Sequence, residues 1–152
     1  PAQVHYNLAK VLEAQGQADQ MLPWLRRAVL RDPNYGRAWF EIGRAEVATG
    51  DLPAARLAFR QAWALDPRDG DAACNLMRVA LRLGEWAEAG QAAAALPETD
   101  AEALAARYRC ACELGEPAAD LRARLLADPQ IRPVALKALT RVAKGALPLR
   151  LG

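Results

Sequence analysis

Glycine recurs at Gly16, Gly50, Gly84 and Gly115, with spacings of 34, 34 and 31 residues. A period of that length means one structural unit used repeatedly, each copy relying on its neighbours to cover its apolar face. The dipeptides Asp32-Pro33 and Asp66-Pro67 stand the same 34 apart, as do Ala28 and Ala62, and Leu25 and Phe59. Each period is too short for a domain and long enough for two helices joined by a tight turn. Glycine suits that turn because it accepts positive φ, and proline after aspartate stops the second helix.

The composition agrees. Alanine and leucine dominate, arginine outnumbers lysine 17 to 3, serine is absent, and threonine occurs three times. These are helix-forming choices, and the 6% aromatic content is low for a sheet. The arginine bias accompanies a bacterial origin. The expected helices span 2–15, 19–31, 36–49, 52–65, 70–83, 86–96, 100–114, 117–127 and 133–144. Pro23 must lie in the first turn of its helix, or it kinks it. Thr99 with Glu102 reads as a capping box at the start of the seventh helix. Pro133 opens the last helix, which Gly145 closes.

The second copy reads Trp39-Phe40-Glu41-Ile42-Gly43, then Gly50-Asp51, Ala54-Ala55, Phe59, Ala62 and Pro67. This pattern resembles the tetratricopeptide repeat. The first copy keeps Leu8-Ala9, Gly16, Leu25, Ala28 and Pro33, with His5 where Trp39 stands. The third keeps Leu76, Gly84 and Ala89 and loses the closing Asp-Pro. The fourth is degenerate, with Arg107 and Asp120 where apolar or small residues belong. The resemblance implies an all-α, right-handed tetratricopeptide-type solenoid: one domain over 1–152, copies at about 2–35, 36–69, 70–98 and 99–129, and a capping helix at 133–144. We expect Trp39 to be among the most costly residues to truncate. Pro1 abuts the first helix, so we also expect the natural chain to continue upstream.

The resemblance further implies that the first helix of each copy lines a concave groove, and that the groove binds protein or peptide. At 3-4-3 spacing the lining residues are Gln3, Tyr6, Lys10 and Glu13; Arg37, Phe40, Arg44 and Val47; Asp71, Cys74, Arg78 and Leu81; and Glu102, Ala105, Arg109 and Cys112. Lys10, Arg44, Arg78 and Arg109 put a cation at the same place in all four copies. An acidic peptide is one occupant of such a column, because arginine grips carboxylates in a fork. Pairing with Glu13, Glu41, Asp71 and Glu102 is the competing use. Tyr6 and Phe40 are either aromatic anchors or packing residues. Asn7 and Asn75 are similar to the groove asparagines of O-linked N-acetylglucosamine transferase arrays, which copies one and two resemble in Tyr6-Asn7-Leu8-Ala9. An asparagine amide can bond a peptide main chain at two points. The places that grip chaperone carboxylate tails hold Tyr6, Lys10, Glu41, Asp71 and Asn75, and the two acids argue against that ligand.

Catalysis is not expected. The lone histidine, His5, sits in a packing column, no serine can act as nucleophile, and no phosphate loop occurs. Cys110 and Cys112 lie two apart on a helix and cannot share a metal. No cofactor is expected. Net charge is +2, with no basic excess to call for nucleic acid, and no apolar run approaches the roughly 20 residues of a membrane span. The expected function is a non-catalytic peptide-binding scaffold. The alternatives are a substrate-recruiting or targeting domain of a larger bacterial glycosyltransferase or sulfotransferase, and a self-assembly module. A cytoplasmic location is expected, or a periplasmic one where an upstream signal has been removed.

Overall fold

The computed structural model describes residues 1–143 and 149–151. Within them the chain is helical, with α1 (Ala2–Ala14), a 3-10 turn (Ala18–Gln20), α2 (Met21–Arg31), α3 (Gly36–Thr49), α4 (Leu52–Leu65), α5 (Gly70–Leu83), α6 (Trp86–Ala94), α7 (Ala101–Leu114), α8 (Ala119–Ala127) and α9 (Ile131–Ala143). The expected helices are present with small shifts at their ends. Gly145, expected to close the last one, lies outside the described residues. The chain falls into two compact units, Pro1–Ala72 and Ala73–Gly152.

The periodic glycines do what their spacing implied. Gly16, Gly50, Gly84 and Gly115 all have positive φ, between 70° and 87°. At Gly50 the main-chain N–H turns back onto the last carbonyls of α3, and Asp51 follows at once as the side-chain cap of α4, its Oδ1 receiving Ala54 N at 3.1 Å. A helix end, turn and helix start therefore fit into two residues. Pro53 stands in the first turn of α4, and Pro23 in the first turn of α2, where no intrahelical bond is lost.

Asp32 and Asp66 leave the helical region at the ends of α2 and α4. Each carboxylate then accepts the N–H two residues on, from Asn34 at 3.0 Å and Arg68 at 3.1 Å. Asp128 repeats the device at the end of α8, receiving Gln130 N at 2.8 Å. Asp128-Pro129 is thus the closing signal of the fourth copy, which the sequence reading passed over. The Thr99 capping box does not form. Asp100 is the cap of α7, its Oδ1 receiving Ala103 N at 3.0 Å, and Glu102 is engaged elsewhere. Aspartate is itself a preferred N-cap residue, and here it takes the role one residue later.

In the first unit, α1 packs on α2, α2 on α3 and α3 on α4. Tyr6, Ala9, Met21, Leu25, Ala28, Val29, Ala38, Ile42 and Ala58 form the buried centre, with Trp24, Tyr35 and Trp39 partly buried against it. His5 stacks on Trp24 at 5.9 Å, a packing role as expected. Trp39 is only half-buried, and its indole N–H donates to Pro33 O at 2.7 Å. Phe59 is the fully buried large residue, edge-on to Phe40 at 5.6 Å. Gly43 makes room for its ring, since a Cβ there would sit 2.6 Å from Phe59 Cε1.

In the second unit, α7 packs against α6, α8 and α9. Leu104, Ala105, Leu125 and Ala135 are buried together, with Tyr108, Leu121 and Ile131 around them. The last helix therefore lies against α7 and α8, with Ala135 buried at that contact. The off-pattern Arg107 is explained by Glu98, whose carboxylate accepts from Arg107 Nη1 at 3.2 Å and also pairs with Arg124.

Candidate functional site

The inner positions are best taken unit by unit, beginning with α1 and α3. Lys10 and Glu13 lie three apart on α1, and Glu41 and Arg44 three apart on α3. Each cation touches both acids: Lys10 Nζ contacts Glu13 and reaches Glu41 Oε1 at 3.4 Å, while Arg44 reaches Glu41 Oε2 at 2.6 Å and Glu13 Oε1 at 3.3 Å. The four charges sum to zero. Only 19% of the Arg44 side chain is exposed, so of the two uses weighed for this column Arg44 shows the internal pairing. Glu41, 34 residues after Asn7 and so at the equivalent place in the second copy, is one of the two acids of this square.

Hydrogen bonding from Lys10, opposed by burial, holds Glu13 below the usual 4.5 of a glutamate. A carboxylate depressed in the folded state stabilises the fold above its unfolded value and loses that contribution as pH falls through the folded one. Stability should therefore fall as pH drops below 4.5. Thermal melts across pH 3 to 7, a window of about this width being needed to bracket the transition, should show a flatter acid limb for Glu13→Gln. An unchanged limb would mean the square contributes nothing.

Tyr6 and Phe40 are both buried. Tyr6 tilts against Tyr35 at 5.1 Å. Of the two expected roles, these aromatics take packing, because the stripe they share also forms the contact between neighbouring helices. Asn7 is exposed, its Oδ1 accepting from Gln3 Nε2 at 2.9 Å, and Gln3 Oε1 accepts the Tyr35 hydroxyl at 2.8 Å.

In the second unit, Arg78 of α5 forms a fork with Glu102 of α7, Nε to Oε1 at 2.5 Å and Nη2 to Oε2 at 2.7 Å. Its side chain is 11% exposed, so this arginine too is shielded rather than open. Arg109 bonds Glu113 Oε1 at 3.0 Å and lies over the Trp86 ring at 5.0 Å. Every member of the cation column thus has a carboxylate partner within the chain.

Asn75 is different. It is completely buried, at 0% exposure. Its Nδ2 donates to Arg150 O at 2.9 Å and its Oδ1 accepts Arg150 N at 2.8 Å. One side chain satisfies both main-chain groups of a residue 75 positions away. The Arg150 guanidinium reaches Asp100 Oδ2 at 3.3 Å, while Oδ1 of that aspartate caps α7. The sequence reading named Asn75 but had no means of finding Asp100 or Arg150. Asp100 was hidden by the neighbouring Thr99, and residues 149–151 belong to no repeat. Cys74 lies beside this group, and burial pushes its thiol up to about 11. Cys110 is likewise pushed to about 11, while Cys112 is exposed. Neither buried thiol is a thiolate near neutral pH. His5 is held below its ordinary 6.5, chiefly by burial.

Comparison with known proteins gives the same repeat. Two tetratricopeptide repeat family models match residues 6–69 and 46–111. The TPR repeat-containing protein PA0015 of Pseudomonas aeruginosa is 36% identical over 70 residues, covering 46% of this chain and 67% of that protein. The chain belongs to the tetratricopeptide repeat family. Among solved structures, a crystal structure of MamA matches with a TM-score of 0.66 and 21% identity, covering 94% of this chain and 81% of that one. The MamA RS-1 ArsTM double mutant matches at 0.63 and 17%, covering 94% and 93%. These likenesses establish a tetratricopeptide-type α-solenoid fold. Within such repeats the first helices are α1, α3, α5 and α7, the elements that carry the charge square, the Arg78–Glu102 fork and Asn75. No helix among the described residues is long and apolar enough to cross a membrane, and no group of three or more His, Cys, Asp or Glu among them could hold a metal ion.

Proposed function

We propose that this tetratricopeptide array is a non-catalytic scaffold whose first helices receive an extended peptide. The observation that carries this reading is Asn75, a buried amide that already holds a main chain at two points. The same use of asparagine is what the resemblance to the transferase arrays implies. The ligand is held mainly through its backbone, with Asn7 and Arg37 as further contacts because they remain exposed, and Arg109 beside them, half-buried over Trp86. Lys10, Arg44 and Arg78 serve the fold rather than the ligand, since an acidic peptide would have to displace Glu13, Glu41 and Glu102 from them. The protonated Cys74 and Cys110 and the stacked His5 support a role without chemistry.

The test is selection of binders from a random-peptide display library by the full chain. Selected peptides should keep most of their affinity when salt is raised from low to physiological levels, where exposed charge pairs are screened over about 8 Å. Selection of no peptide at all, or of binders competed by no change on the first helices, contradicts the reading.

A second reading is self-association. Val4, Leu8 and Val11 form a stripe along α1 at 4 and 3 spacing and are 40–51% exposed. A contiguous apolar stripe left in water marks a contact surface. Light scattering that finds a monomer at high concentration would remove this reading.

A further inference from the structure

We infer that Asn75 and Asp100 form a receptor for an extended, arginine-bearing peptide, and that residues 149–151 of this chain are its resident occupant. The inference rests on the peptide-scaffold reading and deepens it by naming the ligand class and the competitor.

Three features of the second unit carry it. The first is the two-bond grip. Asn75 offers one acceptor and one donor to the N–H and C=O of a single residue, at 2.8 and 2.9 Å. This is the pairing that one strand residue gives another, and it needs an occupant that is not helical, because a helix consumes its own main-chain groups. Residues 149–151 meet that requirement, being outside any helix. The second feature is burial. With residues 149–151 in place the Asn75 side chain is fully enclosed, so an occupant that offered no main-chain N–H and C=O would leave the amide desolvated and unsatisfied. The residue is adapted to being filled.

The third feature is charge. Asp100 spends Oδ1 on the start of α7 and directs Oδ2 to the Arg150 guanidinium at 3.3 Å. The neighbouring Arg78 and Glu102 neutralise one another in their fork. The site therefore presents negative charge to the side chain of the gripped residue and favours arginine there. That preference is opposite in sign to the acidic partner suggested by the cation column. The main-chain grip supplies affinity without reading sequence, and Asp100 supplies the selectivity. An incoming peptide must displace residues 149–151, which are held at an effective concentration on the order of millimolar because they belong to the same chain. The segment acts as a threshold that a ligand must exceed.

The test uses the full chain with Arg150→Pro, which removes the N–H received by Asn75 Oδ1 and the guanidinium held by Asp100. The probe is a fluorescent, end-capped peptide Ala-Leu-Pro-Leu-Arg-Leu-Gly, the sequence of residues 146–152. A second probe carries norleucine in place of arginine. Fluorescence anisotropy should show the arginine probe binding the Arg150→Pro chain at least tenfold more tightly than the unsubstituted chain. Adding Asn75→Ala should abolish that binding. Adding instead Asp100→Asn, which retains a competent helix cap, should bring the affinities for the two probes within twofold of each other. Equal binding by the unsubstituted and Arg150→Pro chains, or no binding by the latter, overturns the inference. If Asn75→Ala does not fold, the Asp100→Asn chain still decides: an unchanged preference for arginine overturns the charge reading. Library peptides that bind while the 146–152 probe does not would sink this inference and leave the scaffold reading standing. Failure of both would remove both.

Discussion

Phe59→Ala should lower stability by about 3–5 kcal/mol, the range for emptying a fully buried aromatic site. Phe59 is at 0% exposure, edge-on to Phe40, with its ring against the bare Cα of Gly43. The same contact makes Gly43→Ala costly in the opposite way. Its new Cβ would lie 2.6 Å from Phe59 Cε1 and 2.7 Å from Cδ1, and the ring is enclosed and cannot swing clear. Overpacking of this kind costs about 1–3 kcal/mol. The two changes should be strongly non-additive, because the methyl group fits once the ring is gone. Urea denaturation followed by circular dichroism, on the two single variants and the double, measures this directly. Additive losses would mean that Gly43 is required for some reason other than the Phe59 ring. Trp39, which the sequence marks as among the most costly residues to truncate, should cost less than Phe59, since it is only half-buried.

The second large effect concerns Arg78. Truncation to alanine leaves Glu102, only 23% exposed, without its forked partner. Breaking a buried ion pair by removing one member costs about 3–5 kcal/mol, and partial solvent access places Arg78→Ala toward the low end of that range. Arg78→Met with Glu102→Leu removes both charges and retains volume, and should recover most of the loss. A single variant as stable as the parent would show that the fork is incidental. The sequence left two uses open for this arginine, an exposed contact to a ligand and an internal ion pair, and the second is the one that makes its loss costly.

That difference shows where the sequence is legible. Glycine and Asp-Pro positions report on torsion angles and helix ends, which are local, so the turns at Gly16, Gly50, Gly84 and Gly115 are readable directly. Asp128-Pro129 escaped because it falls 62 residues after Asp66, short of two full periods. The contraction begins in the third copy, where α6 has 9 residues against the 14 of α4. Which residues of one helix share a face was also readable, because helical spacing fixes it. Which carboxylate on the next helix meets which cation was not. Arg78 had both Asp71 and Glu102 among the candidate partners, and spacing alone did not say that its fork would close on Glu102, 24 residues on. Tyr6 and Phe40 illustrate the same limit, since a stripe wide enough to face a ligand also touches the neighbouring helix. Asn75 was identified by residue type and place, while its occupant lies 75 residues away and outside the repeat. No periodic signal could have joined them.

The scaffold reading is tested most directly by nitrogen-15 NMR of the full chain titrated with a library-selected peptide. The account predicts saturable shifts on α1, α3, α5 and α7, with the Asn75 side-chain amide among the groups that move. Shifts confined to the second helices α2, α4, α6 and α8, with the Asn75 amide unmoved at saturation, would contradict it.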